Sequence, residues 1–199
     1  MKLPVTPVPA PGAADPVSRG AGITRATFWV RLGLGLLGAT AVGTSAAPPP
    51  LGPDEFRAAL LSKILPLVTW PKSAFGAEDR ELVIVLLGRA TFAPLLDALV
   101  RDTRVGDRPV VVRSVDRLED LPRCQILFFP ADRTEEVKRL PADRSAGLLT
   151  VGEDERFTRL GGVINLSLAD RALTLNIRNA RGAGLALQSR LLRIARVES

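Results

Sequence analysis

The chain has 199 residues, 46% hydrophobic and 24% charged, with 27 lysines and arginines against 21 acids. That length suits one domain with a proper core and leaves no room for a second large one. Histidine and tyrosine are both absent, which removes the commonest general base, the commonest metal ligand and a phenolic acid together.

Residues 1–47 read as a cleaved secretory leader. Lys2, Arg19 and Arg25 precede an apolar run from Leu32 to Val42, and Thr44, Ser45, Ala46 and Ala47 offer small residues for a signal peptidase. Arg31 keeps the run short of the about 20 apolar residues that a retained anchor needs. The long Pro-rich stretch before Arg19 is unusual in a leader and leaves a downstream translation start open. With no twin-arginine pair and no cysteine beside the cleavage point, Sec-type export of a soluble product is the expectation. Gly33 to Gly38 spells G-x-G-x-x-G, but it lies inside the leader's apolar run and follows no strand, so it is not a nucleotide site.

Without the leader, 23 basic and 20 acidic residues remain. The arginines alternate with acids, as in Glu78 to Glu81 and Arg117 to Asp120, which describes a mixed solvated surface and argues against nucleic acid as a partner.

Residues 48–53 form a short linker and 54–197 a single α/β domain. Asp54 and Glu55 favour a helix start, with Phe56, Leu60, Ile64 and Leu67 at helical spacing and a break expected at Pro66. Leu82 to Leu87 is a continuous apolar run, suited to a strand covered on both faces. A short helix follows from Thr91 to Val100, with Phe92, Leu95, Leu96 and Leu99 on one side. Strands are expected over Pro109 to Val115, Gln125 to Phe129 and Leu148 to Val151, with a helix over Thr134 to Leu140.

A hairpin comes next. Pairing Ile164 with Leu175 and Leu166 with Leu173 matches apolar partners around an even-length turn at Ala169 and Asp170. The opposite face carries Asn165, Ser167, Thr174 and Asn176, and is either solvated or covered and in contact with a ligand. Ala180, Gly184, Leu187, Leu191 and Ile194 step by four, three, four and three, predicting a long C-terminal helix with Arg181, Gln188 and Arg196 outward. Gly182 and Gly184 mark either a close backbone approach or a frayed start. The fold class is therefore a mixed sheet of about six strands with flanking helices, ending in the hairpin and this helix.

No arrangement of side chains nominates an enzyme. There is no Ser-His-Asp set, no zinc spacing and no phosphate loop. Glu153, Asp154 and Glu155 are adjacent and point apart, and Lys63, Lys72 and Lys138 act as bases only if desolvated. No catalytic residue, metal ligand or cofactor is expected.

Read in order, Trp70-Pro71, Ile126 to Phe129, Leu149-Thr150-Val151-Gly152, Phe157, Gly161 to Asn165, Asn176, Leu185 and Leu191 to Ala195 resemble the YfiR/HmsC family over roughly residues 54–197. The resemblance implies a periplasmic protein that binds the periplasmic sensor part of an inner-membrane diguanylate cyclase and represses it, lowering cyclic di-GMP and restraining biofilm formation. Characterised relatives carry paired cysteines, whereas Cys124 stands alone here, so an intramolecular disulfide switch is impossible. Cys124 reads as a small buried hydrophobe, with an intermolecular bond as the alternative.

The expected partner surface is Trp70 and Pro71 with Arg178 and Arg181, because aromatic and arginine residues dominate interface hot spots. Core packing for Trp70 and plain solvation for the arginines are the competing readings. A periplasmic small-molecule sensor, with Asn165, Thr174 and Asn176 at its ligand, is the alternative function. Homodimerisation also stays open.

Overall fold

A computed structural model describes residues 51–198. The leader expected over 1–47 and the first half of the linker lie outside the described residues.

Helix α1, Pro53–Ile64, opens with Pro53 and the acids Asp54 and Glu55 and closes with Lys63, each charge set against the helix dipole. Pro66 then forces a tight 3₁₀ turn over Leu65–Leu67, since it offers no N–H to continue the α-helical ladder. The short strand β1, Val68–Thr69, and a 3₁₀ turn at Lys72–Ala74 lead to β2, Leu82–Leu87. Helix α2 spans Ala93–Val100, followed by β3, Arg104–Val105, and β4, Arg108–Val115. Phe92, Leu96 and Val100 are buried, whereas Leu99, expected beside them, is exposed.

Strand β5, Ile126–Phe129, is followed by Ala131–Arg139, which is 3₁₀ where an α-helix was expected over 134–140. The short helix α3, Ala142–Ser145, precedes β6, Leu149–Gly152. Strands β7, Ile164–Ser167, and β8, Ala172–Asn176, form the hairpin, in the expected register of Ile164 with Leu175 and Leu166 with Leu173.

The C-terminal region differs most from its periodicity. The long helix is divided into α4, Ile177–Gly182, a strand β9, Ala186–Leu187, the helix α5, Ser189–Ile194, and a final strand β10, Ala195–Glu198. Gly184 sits at φ +73°, and the Leu185 N–H bonds the Ala180 carbonyl at 2.9 Å. That left-handed cap ends α4. The chain then leaves extended, and β9 pairs antiparallel with β1 through Val68 with Leu187 and Thr69 with Ala186. Arg196, placed on a helix by the periodicity, belongs to β10.

The main sheet has eight strands in the order β10-β8-β7-β6-β5-β2-β4-β3. The run from β4 through β2, β5 and β6 to β7 is parallel, β8 returns antiparallel to β7, and β10 lies parallel to β8. The mixed α/β class holds, with eight strands where about six were expected. All six residues of β2 are buried because both faces are covered. Leu82, Ile84 and Leu86 join Ile126, Phe128, Leu149 and Val151 under α1 and α2, while Val83, Val85 and Leu87 join Leu127, Phe129, Val137 and Phe157 on the other face.

Candidate functional site

Parallel strands in an open α/β sheet expose their carboxyl ends together, and ligands commonly bind where the strand order reverses. Here that point lies between β2 and β5, since the chain passes from β2 to β4 on one side and then to β5 on the other. The space there is only about 100 Å³, bounded by Leu87, Thr91, Phe92, Phe128 and Pro130. A side-chain pair closes it. Arg57 of α1 donates through both Nε and Nη2 to the carboxylate of Glu153, just past β6, and through Nη1 to Asp54 at 2.7 Å. Asp54 in turn accepts from Thr91 Oγ1 at 2.7 Å. The Glu153 side chain is 7% exposed, and its hydrogen bond raises the pKa of Arg57, holding it charged against the opposing effect of burial.

Trp70, Pro71, Arg178 and Arg181 lie instead toward the amino ends of the strands, whereas Asn165 and Thr174 stand level with Gly152 at the carboxyl end of β6. Trp70 is buried in the main core, and its indole N–H donates to the Gln125 carbonyl at 3.1 Å. Gln125, which the sequence reading took as part of an apolar strand, is the polar knot of this end. Its Oε1 accepts from the Val83 N–H and its Nε2 donates to the Ala74 carbonyl, both at 2.8 Å. The only signal for it in the sequence is an amide at the head of an apolar run. Pro71 is half-buried. A Cβ placed on Gly184 would stand 3.5 Å from its ring, so the turn after α4 packs on the Trp70-Pro71 corner.

Arg178 and Arg181 are exposed on α4. Arg178 and Asn179 line a groove of about 420 Å³ whose apolar walls include Val137, Leu140, Leu148 and Val163. Asn179 fixes the groove's rim, its Nδ2 donating to the carbonyls of Thr158 at 2.9 Å and Gly162 at 2.7 Å.

The polar face of the hairpin is covered at Asn165 and half-covered at Ser167, Thr174 and Asn176. Asn165 is 3% exposed, and the segment 153–162 is tied to this end of the sheet by its Thr158 and Gly162 carbonyls. Phe157 fits between Gly152 and Gly162, where a Cβ on either glycine would strike its ring. Asn176 caps α4, its Oδ1 accepting from the Asn179 N–H at 3.0 Å, while Thr174 is half-buried. The buried Oδ1 of Asn165 has no hydrogen-bond partner among the described residues.

Cys124 lines a separate cavity of about 390 Å³ with Ser73, Arg123, Asp143 and Arg144. Burial pushes its thiol up to about 12, partly countered by Arg144, which makes it a poor nucleophile. Lys63, Lys72 and Lys138 are all exposed. Among the described residues no group of three or more His, Cys, Asp or Glu side chains stands close enough to hold a metal ion. Glu153 and Asp154 turn to different arginines, Arg57 and Arg156.

A sheet closed at its usual ligand crevice, with exposed arginines beside a packed corner at its other end, defines a mixed α/β domain. The chain belongs to the family described as YfiR/HmsC-like, DUF4154, whose model matches residues 54–196. Membership places it among periplasmic regulators of cyclic di-GMP signalling. No curated protein matches the chain. No helix of the described residues is long and apolar enough to cross a membrane.

Proposed function

We propose that this protein is exported through the leader at 1–47, and that its domain at 54–197 binds the periplasmic sensor domain of an inner-membrane diguanylate cyclase. Binding favours the cyclase's inactive arrangement, lowers cyclic di-GMP synthesis and restrains biofilm formation. A binder shifts such an equilibrium only by its differential affinity for the two states, so no catalytic group is required of it. Beside the family, the observation that carries this reading is the Arg57 to Glu153 pair. It fills the crevice where a small ligand would ordinarily sit, and leaves the outer surface to recognise a partner.

The proposed contact surface is the exposed part of the Trp70-Pro71 corner with Arg178 and Arg181. Calorimetry with a purified cyclase sensor domain tests it. The wild-type chain binds, and Arg178→Ala with Arg181→Ala weakens binding by roughly ten-fold or more without changing the melting temperature. Absence of wild-type binding sinks the function, and an unchanged affinity in the variant sinks the surface.

The groove beside Arg178 favours a second reading, a small-molecule sensor, because it joins apolar walls to a cationic rim. In that reading the half-buried Thr174 and Asn176 and the buried Asn165 supply the polar contacts. A thermal-shift screen discriminates the two, since a true ligand raises the melting temperature with occupancy.

A further inference from the structure

Charge is placed unevenly along the domain. Residues 48–199 hold 23 basic and 20 acidic side chains. Between Arg171 and Val197 there are six arginines and no acid. The rest of the domain then carries 17 basic against 20 acidic residues and is net negative. The alternation of arginine with acid that describes the earlier segments ends at Asp170, and the positive excess lies wholly in the C-terminal elements.

Helix α5 turns part of that excess outward at one margin of the sheet. Leu191 is fully buried in the main core, and helical spacing then gathers Arg190, Arg193 and Ile194 on the opposite side of the helix. All three are exposed, Ile194 at 61%. Among the described residues neither Arg190 nor Arg193 has an ion pair or a hydrogen bond to another side chain. Val197 extends the patch. Its neighbour in register, Leu175, belongs to the same core as Leu191, so Val197 stands on the α5 face of the sheet, 48% exposed on the margin strand β10. Arg196 faces the other way and pairs with Asp170 at 3.3 Å.

Aliphatic side chains that project from a ridge among unpaired guanidinium groups suit a phospholipid surface. Isoleucine and valine enter the headgroup layer, while the arginine stems lie along it and their heads meet lipid phosphates. An acidic protein would neutralise the arginines, but it would cover Ile194 only by offering a pocket of matching shape, which a fluid headgroup layer does not need. We infer that the margin formed by α5 and β10 docks the domain on an anionic phospholipid surface through Arg190, Arg193, Ile194 and Val197. Docking of this kind concentrates an exported domain at the plane of the membrane. It stands apart from the cyclase reading, since it requires no protein partner.

Co-sedimentation with vesicles tests this on the protein expressed for export and purified from the periplasm. The wild type binds vesicles of equal parts phosphatidylglycerol and phosphatidylcholine, does not bind phosphatidylcholine alone, and is released by 0.5 M salt at about the Debye length where surface charges are screened. Arg190→Gln with Arg193→Gln weakens binding by roughly ten-fold or more, and Ile194→Ser weakens it by roughly three-fold, because apolar insertion adds to the charge attraction. Melting temperatures equal to that of the wild type show that the variants fold. Arg139→Gln with Arg159→Gln removes the same charge from exposed positions beside Val137 and Leu160, on the other face of the sheet, and leaves binding unchanged. A wild type that ignores the anionic vesicles, equal binding to neutral ones, patch variants that bind as the wild type does, or an equal loss in the Arg139 and Arg159 variant overturns the inference. Binding to polyglutamate without binding to vesicles assigns the patch to an acidic protein and overturns it as well.

Discussion

Arg57 on α1 and Glu153 after β6, 96 residues apart, form a two-point ion pair that ties the first helix to the carboxyl end of the sheet. Their exposures are unequal, 20% for the Arg57 side chain and 7% for Glu153. Removing the arginine strands the more buried charge. Arg57→Ala is expected to cost about 3 kcal/mol, and pairing it with Glu153→Leu to recover part of that loss, since an uncompensated buried charge is worse than none. Urea unfolding of the single and double variants measures this. A double variant no more stable than Arg57→Ala contradicts the argument.

Gln125 serves three separate segments through one side chain and its own carbonyl. Gln125→Leu leaves the Val83 N–H and the Ala74 carbonyl without partners, at about 3 kcal/mol, whereas Trp70→Phe removes a single bond to the Gln125 carbonyl. The expected order of destabilisation is Gln125→Leu greater than Trp70→Phe. The reverse order in chemical denaturation would show that ring volume, and not the polar knot, holds this end.

Phe157 has no exposed area and lies 5.4 Å from the Phe129 ring. Its place depends on missing side chains at Gly152 and Gly162. Gly162→Ala drives a methyl into the ring and is expected to cost about 1 to 3 kcal/mol as overpacking. Adding Phe157→Leu should then be less harmful than it is in the wild-type background. Simple additivity in a double-mutant cycle rules the contact out.

Cys124 gives a pH prediction with a definite sign. Its thiol pKa is raised from 9.0 to about 12 by burial, so the folded chain keeps its proton after the unfolded chain has lost one. The associated stability is whole below pH 9 and falls as the pH rises toward 12. At pH 8, iodoacetamide should react far more slowly with the native chain than with the urea-unfolded chain. Equal rates would disprove the shift.

Most of the strands were legible because their signals are local. Leu82 to Leu87 reads as a doubly covered strand from its unbroken apolar run, and the hairpin register follows from matching Ile164 with Leu175. The C-terminal region was misread for a physical reason. Helical spacing from Ala180 to Ile194 reports which residues can share a face, but not whether the backbone stays helical between them, and Gly184 at φ +73° ends α4. The same spacing hid β10, the strand that closes the edge of the sheet beside β8.

From the sequence alone came the α/β class, the family resemblance, the lack of histidine and tyrosine chemistry, and a solitary cysteine, all properties of residue type and order. Tertiary structure decided what each polar residue does. Trp70 became core with its indole N–H taken up by the Gln125 carbonyl, and Asn165 alone on the hairpin's polar face became interior. Arg57 and Glu153 met across 96 residues to close the usual ligand crevice. Such roles depend on contacts between segments far apart in the chain, which no local periodicity encodes.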